Sequence, residues 1–107
     1  VKAVLQRTIK TGDNKYDAMI ILEIEGKKLY VNIPGLVRKP INVKISEVEG
    51  LIRIELINEK EEGYACCYIS PKIVEEGFTT IKCPVGRAWI VTAEVLKKHG
   101  VETSENH

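Results

Sequence analysis

Between Ile41 and Ile57 the chain reads INVKISEVEGLIRIELI, in which apolar, mostly β-branched residues alternate with charged or polar ones on either side of Gly50. A period of two lines one face of an extended strand, so this stretch predicts two strands reversing at Gly50. The first, 41–48, places Ile41, Val43 and Ile45 on one face, and Val48 breaks the phase, which predicts a β-bulge near Ser46 and Glu47. The second, 51–58, buries Ile52, Ile54 and Leu56 and projects Arg53 and Glu55.

Similar patterning extends along the chain. Upstream, strands are predicted over 2–9, 18–25 and 28–33, separated by the polar turn Thr11-Gly12-Asp13-Asn14 and by Glu25-Gly26-Lys27. Met19 to Leu22 are consecutively apolar, the mark of a central strand buried on both faces. A loop bounded by Pro34 and Pro40 carries Arg38 and Lys39 at its tip. Downstream of an acidic turn at 59–63, a strand at 64–69 leads to a short helix opened by Ser70 and Pro71 and ended by Gly77. Strands at 78–83 and 88–91 follow, and Thr92 caps a second helix at 93–99, whose Lys97, Lys98 and His99 suit the negative end of its dipole. The fold class is therefore mainly β: a small barrel or roll of seven to eight mostly antiparallel strands, with two short helices near the C-terminus. Residues 1–101 are expected to form one domain and 102–107 a polar tail.

The closing stretch Trp89-Ile90-Val91-Thr92-Ala93-Glu94-Val95-Leu96-Lys97-Lys98-His99-Gly100-Val101 resembles the strand-and-helix half of the swapped-hairpin transition-state regulators. The Gly-Asp and second strand that follow in that family are missing here, so the resemblance carries no DNA-binding function across.

Composition narrows the class. With 44% hydrophobic and 29% charged residues in 107, a packed core is expected, and 31 β-branched residues favour sheet over helix. No apolar run approaches the ~18 residues of a membrane-spanning helix, and the first ten residues lack a secretory pattern, so a cytoplasmic protein with no membrane partner is expected. Twelve Lys and 13 Glu against a single Gln is the ion-pair-rich, amide-poor balance of thermophile proteins, which points to an archaeal or other hot-environment source. In such a source a cytoplasmic disulfide would be unexceptional. Charge is segregated along the chain: nine Lys/Arg against four Asp/Glu in residues 1–44, then three against eight in 45–76. A polyanionic partner would use the first of these segments.

Catalytic chemistry is not expected. Cys66 and Cys67 point to opposite faces of a strand and cannot chelate one metal together, and neither the Cys nor the His residues form a metal-binding motif, so no metal or cofactor is anticipated. Cys67 reads as a small core residue, and strand geometry also allows a disulfide to Cys83. Cys83-Pro84-Val85-Gly86-Arg87 invites comparison with phosphatase loops, but only three residues separate Cys from Arg where five are needed, and Pro84 removes a backbone donor. Cys83 and His99 form the one conceivable nucleophile and base, with nothing to orient the imidazole.

Binding is the stronger expectation. Lys28, Tyr30 and Asn32 share a face opposite Leu29, Val31 and Ile33, while Tyr64, Cys66 and Tyr68 share one opposite Ala65, Cys67 and Ile69. If these two outward rows adjoin, they form a platform for single-stranded DNA or RNA, with bases stacked on rings and lysines along the phosphates. Lys27, Arg38, Lys39 and Lys44 would extend the basic track. The alternative is a protein-interaction or self-assembly module, a homo-oligomer joined through exposed strand edges. Phe78 and Trp89 would mark the patch of such an interaction module if exposed, but are expected to cover the core beneath the helices.

Overall fold

The alternation resolves into antiparallel sheets in a computed structural model, which describes residues 1–84 and 86–100, the side chains of Ala65 and Cys66 apart. In chain order the elements are β1 (Lys2–Gly12), β2 (Lys15–Ile24), β3 (Lys27–Leu36), β4 (Pro40–Val48), β5 (Leu51–Asn58), β6 (Gly63–Ile69), α1 (Ile73–Glu76), β7 (Phe78–Cys83), β8 (Gly86–Thr92) and α2 (Ala93–Lys98). They form a five-stranded sheet ordered β1-β2-β3-β8-β7 and a three-stranded sheet ordered β4-β5-β6. The expected tail, 102–107, lies outside the described residues.

The two inner faces share one core. Ile20, Leu22, Leu29, Val31, Ile33 and Ile90 come from the larger sheet, Ile52, Ile54, Leu56 and Ile69 from the smaller, and Ile73 from α1. These are the inward phases the alternation predicts, so apolar burial fixes which way each strand faces.

The sheets are not closed into a barrel. β1 lies against β4 and β7 against β6, and neither seam carries ladder pairing. Pro40 brings no N–H to its seam, and register shifts bend both β1, at Gln6, and β4, at Ile41. Side chains hold the seams instead. Thr8 Oγ1 donates to the Pro40 carbonyl at 2.9 Å across β1 and β4. Across β6 and β7, Cys67 and Cys83 form a disulfide with a Cα–Cα distance of 5.3 Å, and both sulfurs are buried.

Two local expectations need correction. The β4 bulge is at Ile41, not at Ser46 and Glu47: pairing runs unbroken from Asn42 opposite Ile57 to Val48 opposite Leu51. Ile41 is therefore turned out of the face it was expected to share with Val43, and Val48 ends the strand on the outer side. The proline-bounded loop is also shorter, because β3 continues through Pro34 and Gly35 to bury Leu36, and Pro40 already belongs to β4.

The turns follow their residue chemistry. Glu49 and Gly50 both take positive φ, 49° and 78°, as a two-residue type I′ hairpin requires. Gly77 ends the single turn of α1 at φ 86°, where a Cβ would lie 2.7 Å from Val95 Cγ2 of α2. Thr92 Oγ1 accepts from the Val95 N–H at 3.3 Å and caps α2.

The disulfide closes a loop of sequence separation 16, which on a chain-entropy basis stabilises the fold by about 3 kcal/mol. Urea unfolding with and without a strong reductant should show a lower midpoint when the bond is reduced. Equal midpoints, with thiol titration proving reduction, would show that the seam holds without it.

Candidate functional site

The predicted tyrosine platform does not assemble, for a reason lying in β6. Between the pairs Ile54–Cys67 and Leu56–Tyr64, β5 supplies one residue and β6 two. That insertion exchanges the faces of β6 beyond it. Tyr68 stays outside, opposite Arg53 and 48% exposed, while Tyr64 comes opposite the buried Leu56 and packs against the core. β6 and β3 also belong to different sheets, so the two expected rows face different directions.

Tyr64 instead anchors a loop junction. Its hydroxyl donates to the Arg38 carbonyl at 2.5 Å, and Arg38 Nη1 reaches Glu62 Oε1 at 3.5 Å. Buried Asn58 organises the β5–β6 loop, its Oδ1 accepting from the N–H groups of Lys60 at 2.9 Å and Glu62 at 3.0 Å. Arg38 and Lys39 line a shallow depression of about 390 Å³ beside Tyr16, Asn58 and Lys60. Lys44 lies on the outer side of the smaller sheet opposite Glu55, which pairs with Arg53 at 3.2 Å. Arg38, Lys39, Lys44, Tyr64 and Tyr68 therefore do not join the β3 residues.

Lys28, Tyr30 and Asn32 do share a face, the outer one of the five-stranded sheet, with Lys27 at the edge of the β2–β3 turn. Tyr30 and Asn32 are only 5% and 8% exposed, because they sit on the middle strand among large neighbours. One cross-strand row reads Val4, Ile21, Tyr30, Val91, Phe78, and the next reads Arg7, Met19, Asn32, Trp89, Thr80. Phe78 is 54% exposed and Trp89 half-buried, so neither ring is spent on the core. Sequence reasoning expected both beneath the helices and gave them a surface role only in a protein-interaction patch. Their signal was the spacing of Phe78, Thr80 and Lys82 on one strand and of Arg87 and Trp89 on the next, which places them on one side of a hairpin.

Charge on this face is mostly positive. Lys2, Arg7, Lys28, Lys82 and Arg87 are exposed around the two apolar rows, against the carboxylates Asp17 and Glu23. Among the described residues none of the five cations forms an ion pair; Arg87 donates to Thr80 Oγ1 at 3.3 Å. The face can offer rings, cations and one amide together.

Cys83 is committed to the disulfide, which removes it as a partner for His99. Among the described residues no group of three His, Cys, Asp or Glu side chains could hold a metal ion, and no helix is long and apolar enough to cross a membrane. The chain matches no protein-family model, no curated protein and no solved structure.

Burial pushes the Tyr64 phenol up to about 12 from its ordinary 10.0, against the opposing effect of the Arg38 charge. The raised value keeps the hydroxyl a donor. Above pH 10.0 the unfolded chain loses a phenolic proton that the fold retains, so this residue's contribution to stability falls as pH rises from 10.0 to about 12. Ultraviolet titration should show a late-ionising phenol that is absent from Tyr64→Phe, and the variant should lose roughly 1 kcal/mol with its hydrogen bond. An alkaline titration unchanged by the substitution would contradict this placement.

Proposed function

We propose that the chain is a non-enzymatic binding protein that holds single-stranded nucleic acid, DNA or RNA, on the outer face of its five-stranded sheet. The observation that carries this reading is the placement of Phe78 and Trp89 in adjacent rows of that face, on neighbouring strands, within a rim of five exposed cations. Bases have apolar faces and stack on exposed rings, while the phosphates between them need cations at the margin. Lys28, Tyr30 and Asn32 remain in the proposed site. Tyr64, Tyr68, Arg38, Lys39 and Lys44 leave it, and Phe78, Trp89, Arg7, Lys82 and Arg87 replace them.

A near-neutral chain with a local basic rim suits moderate affinity that weakens with salt. The disulfide is compatible with the cytoplasm of a thermophile, archaeal or bacterial, where intracellular cystines persist. The two sheets, pinned at both seams, act on this reading as the walls of one flattened roll.

Self-assembly is the second reading, favoured by a different observation. Val1, Val4 and Ile9 along the edge strand β1, with Ile41 on adjacent β4, leave exposed apolar surface at the seam that lacks ladder pairing. A second copy could cover it.

Because Trp89 is the only tryptophan, quenching of its fluorescence reports occupancy of the proposed face directly. Titration with single-stranded DNA or RNA at micromolar protein should quench it, and Phe78→Ala should weaken binding by roughly 1–3 kcal/mol per lost stack. Arg7→Ala and Arg87→Ala should each reduce the dependence on salt. No salt-sensitive binding at micromolar protein would sink the reading. Light scattering across concentration tests the second: an oligomer that Val4→Lys dissociates supports it, and a strict monomer excludes it.

A further inference from the structure

At the middle of the aromatic face, the described residues leave most of the hydrogen-bonding capacity of Asn32 unused. It lies on β3, the middle strand of five, between Met19 of β2 and Trp89 of β8 and two residues along from Tyr30. Its Nδ2 donates to Met19 Sδ at 2.8 Å, and a thioether is a weak acceptor. Among the described residues no hydrogen bond reaches Oδ1. With the residue only 8% exposed, that carbonyl is withdrawn from water and no described residue donates to it, an arrangement that opposes folding. Packing does not demand an amide here. The neighbouring outward positions on the same face are filled by Ile21 and Val91, so an aliphatic side chain would suit the site.

We propose that Asn32 reads base identity on this face and that the base it selects is adenine. The inference rests on the nucleic-acid reading above. A carboxamide presents a donor and an acceptor side by side, complementary to the N7 acceptor and N6 amino donor of adenine. In an unpaired strand that edge is free while the ring stacks on an aromatic side chain. Met19 holds Nδ2 in this structure, and its unbranched chain moves aside at small cost. Nδ2–H then donates to N7 in place of the thioether, and Oδ1 gains the N6–H it lacks. Guanine would set its O6 carbonyl against Oδ1, and a pyrimidine offers less ring to Trp89.

Equal-length oligonucleotides of dA, dC and dT, titrated by fluorescence anisotropy at fixed salt, test the proposal. The wild-type chain should bind dA roughly tenfold more tightly than dC or dT. Asn32→Leu, close to it in shape, should abolish that preference, so that dA binds no more tightly than dC or dT. It should also melt no lower than the wild type, because it removes an unpaired buried acceptor. Asn32→Val serves if the leucine variant does not fold. Equal wild-type affinity for the three oligonucleotides, or a preference for dA that survives the substitution, overturns the role of Asn32 alone. Absence of binding to all three overturns the nucleic-acid reading and this one with it.

Discussion

A pleated strand has two faces, and one inserted residue exchanges them. Because the core is a single layer between two sheets, every strand must present the same parity along its buried length. Register shifts at Gln6 and Thr11 in β1, at Pro34 and Gly35 in β3, at Ile41 in β4 and opposite Glu55 in β6 each change parity once, and side chains beyond them go where burial would not otherwise send them. Tyr64 is the plainest case. The β6 insertion takes its ring from the surface to the margin of the core, where its hydroxyl finds the Arg38 carbonyl and ties two loops together.

The same insertions explain why the sheets meet without merging. Bent edges, one starting at a proline, cannot present an even row of donors and acceptors to each other. A hydroxyl on one seam and a disulfide on the other do locally what a ladder does continuously. Within the five-stranded sheet, the β3–β8 and β8–β7 ladders pair without a register shift, and the aromatic face lies there.

Much of this was legible where polar residues mark the phase. In β5, Arg53 and Glu55 separate Ile52, Ile54 and Leu56, and the inward face was read correctly; Thr92 as a cap and Gly77 as a stop were equally plain. From Tyr64 to Ile69 no charged residue marks either face, so an extra residue passes unnoticed. Ala88 to Val91 is likewise apolar throughout, which hid that Trp89 faces outward while Ile90 fills the core. Strand order was beyond reach for another reason: the pairing of β3 with β8 joins segments far apart in sequence, and no turn residue encodes it. Without that pairing, Asn32 and Trp89 cannot be seen as neighbours.

The insertion of β8 between β3 and β7 also sets an order of events. The β1–β2–β3 meander and the β4–β5–β6 meander are built from local hairpins, which close quickly. The flank of β3 that receives β8 stays open until a strand from the other end of the described chain arrives. On emergence from a ribosome, Leu29 and Val31 would therefore lie along an unpaired edge until β8 follows, and the face that carries Asn32 and Trp89 comes into being only at that pairing. A chain lacking β8 would hold neither the ring nor its neighbour in place, so this face exists only once that last strand has paired.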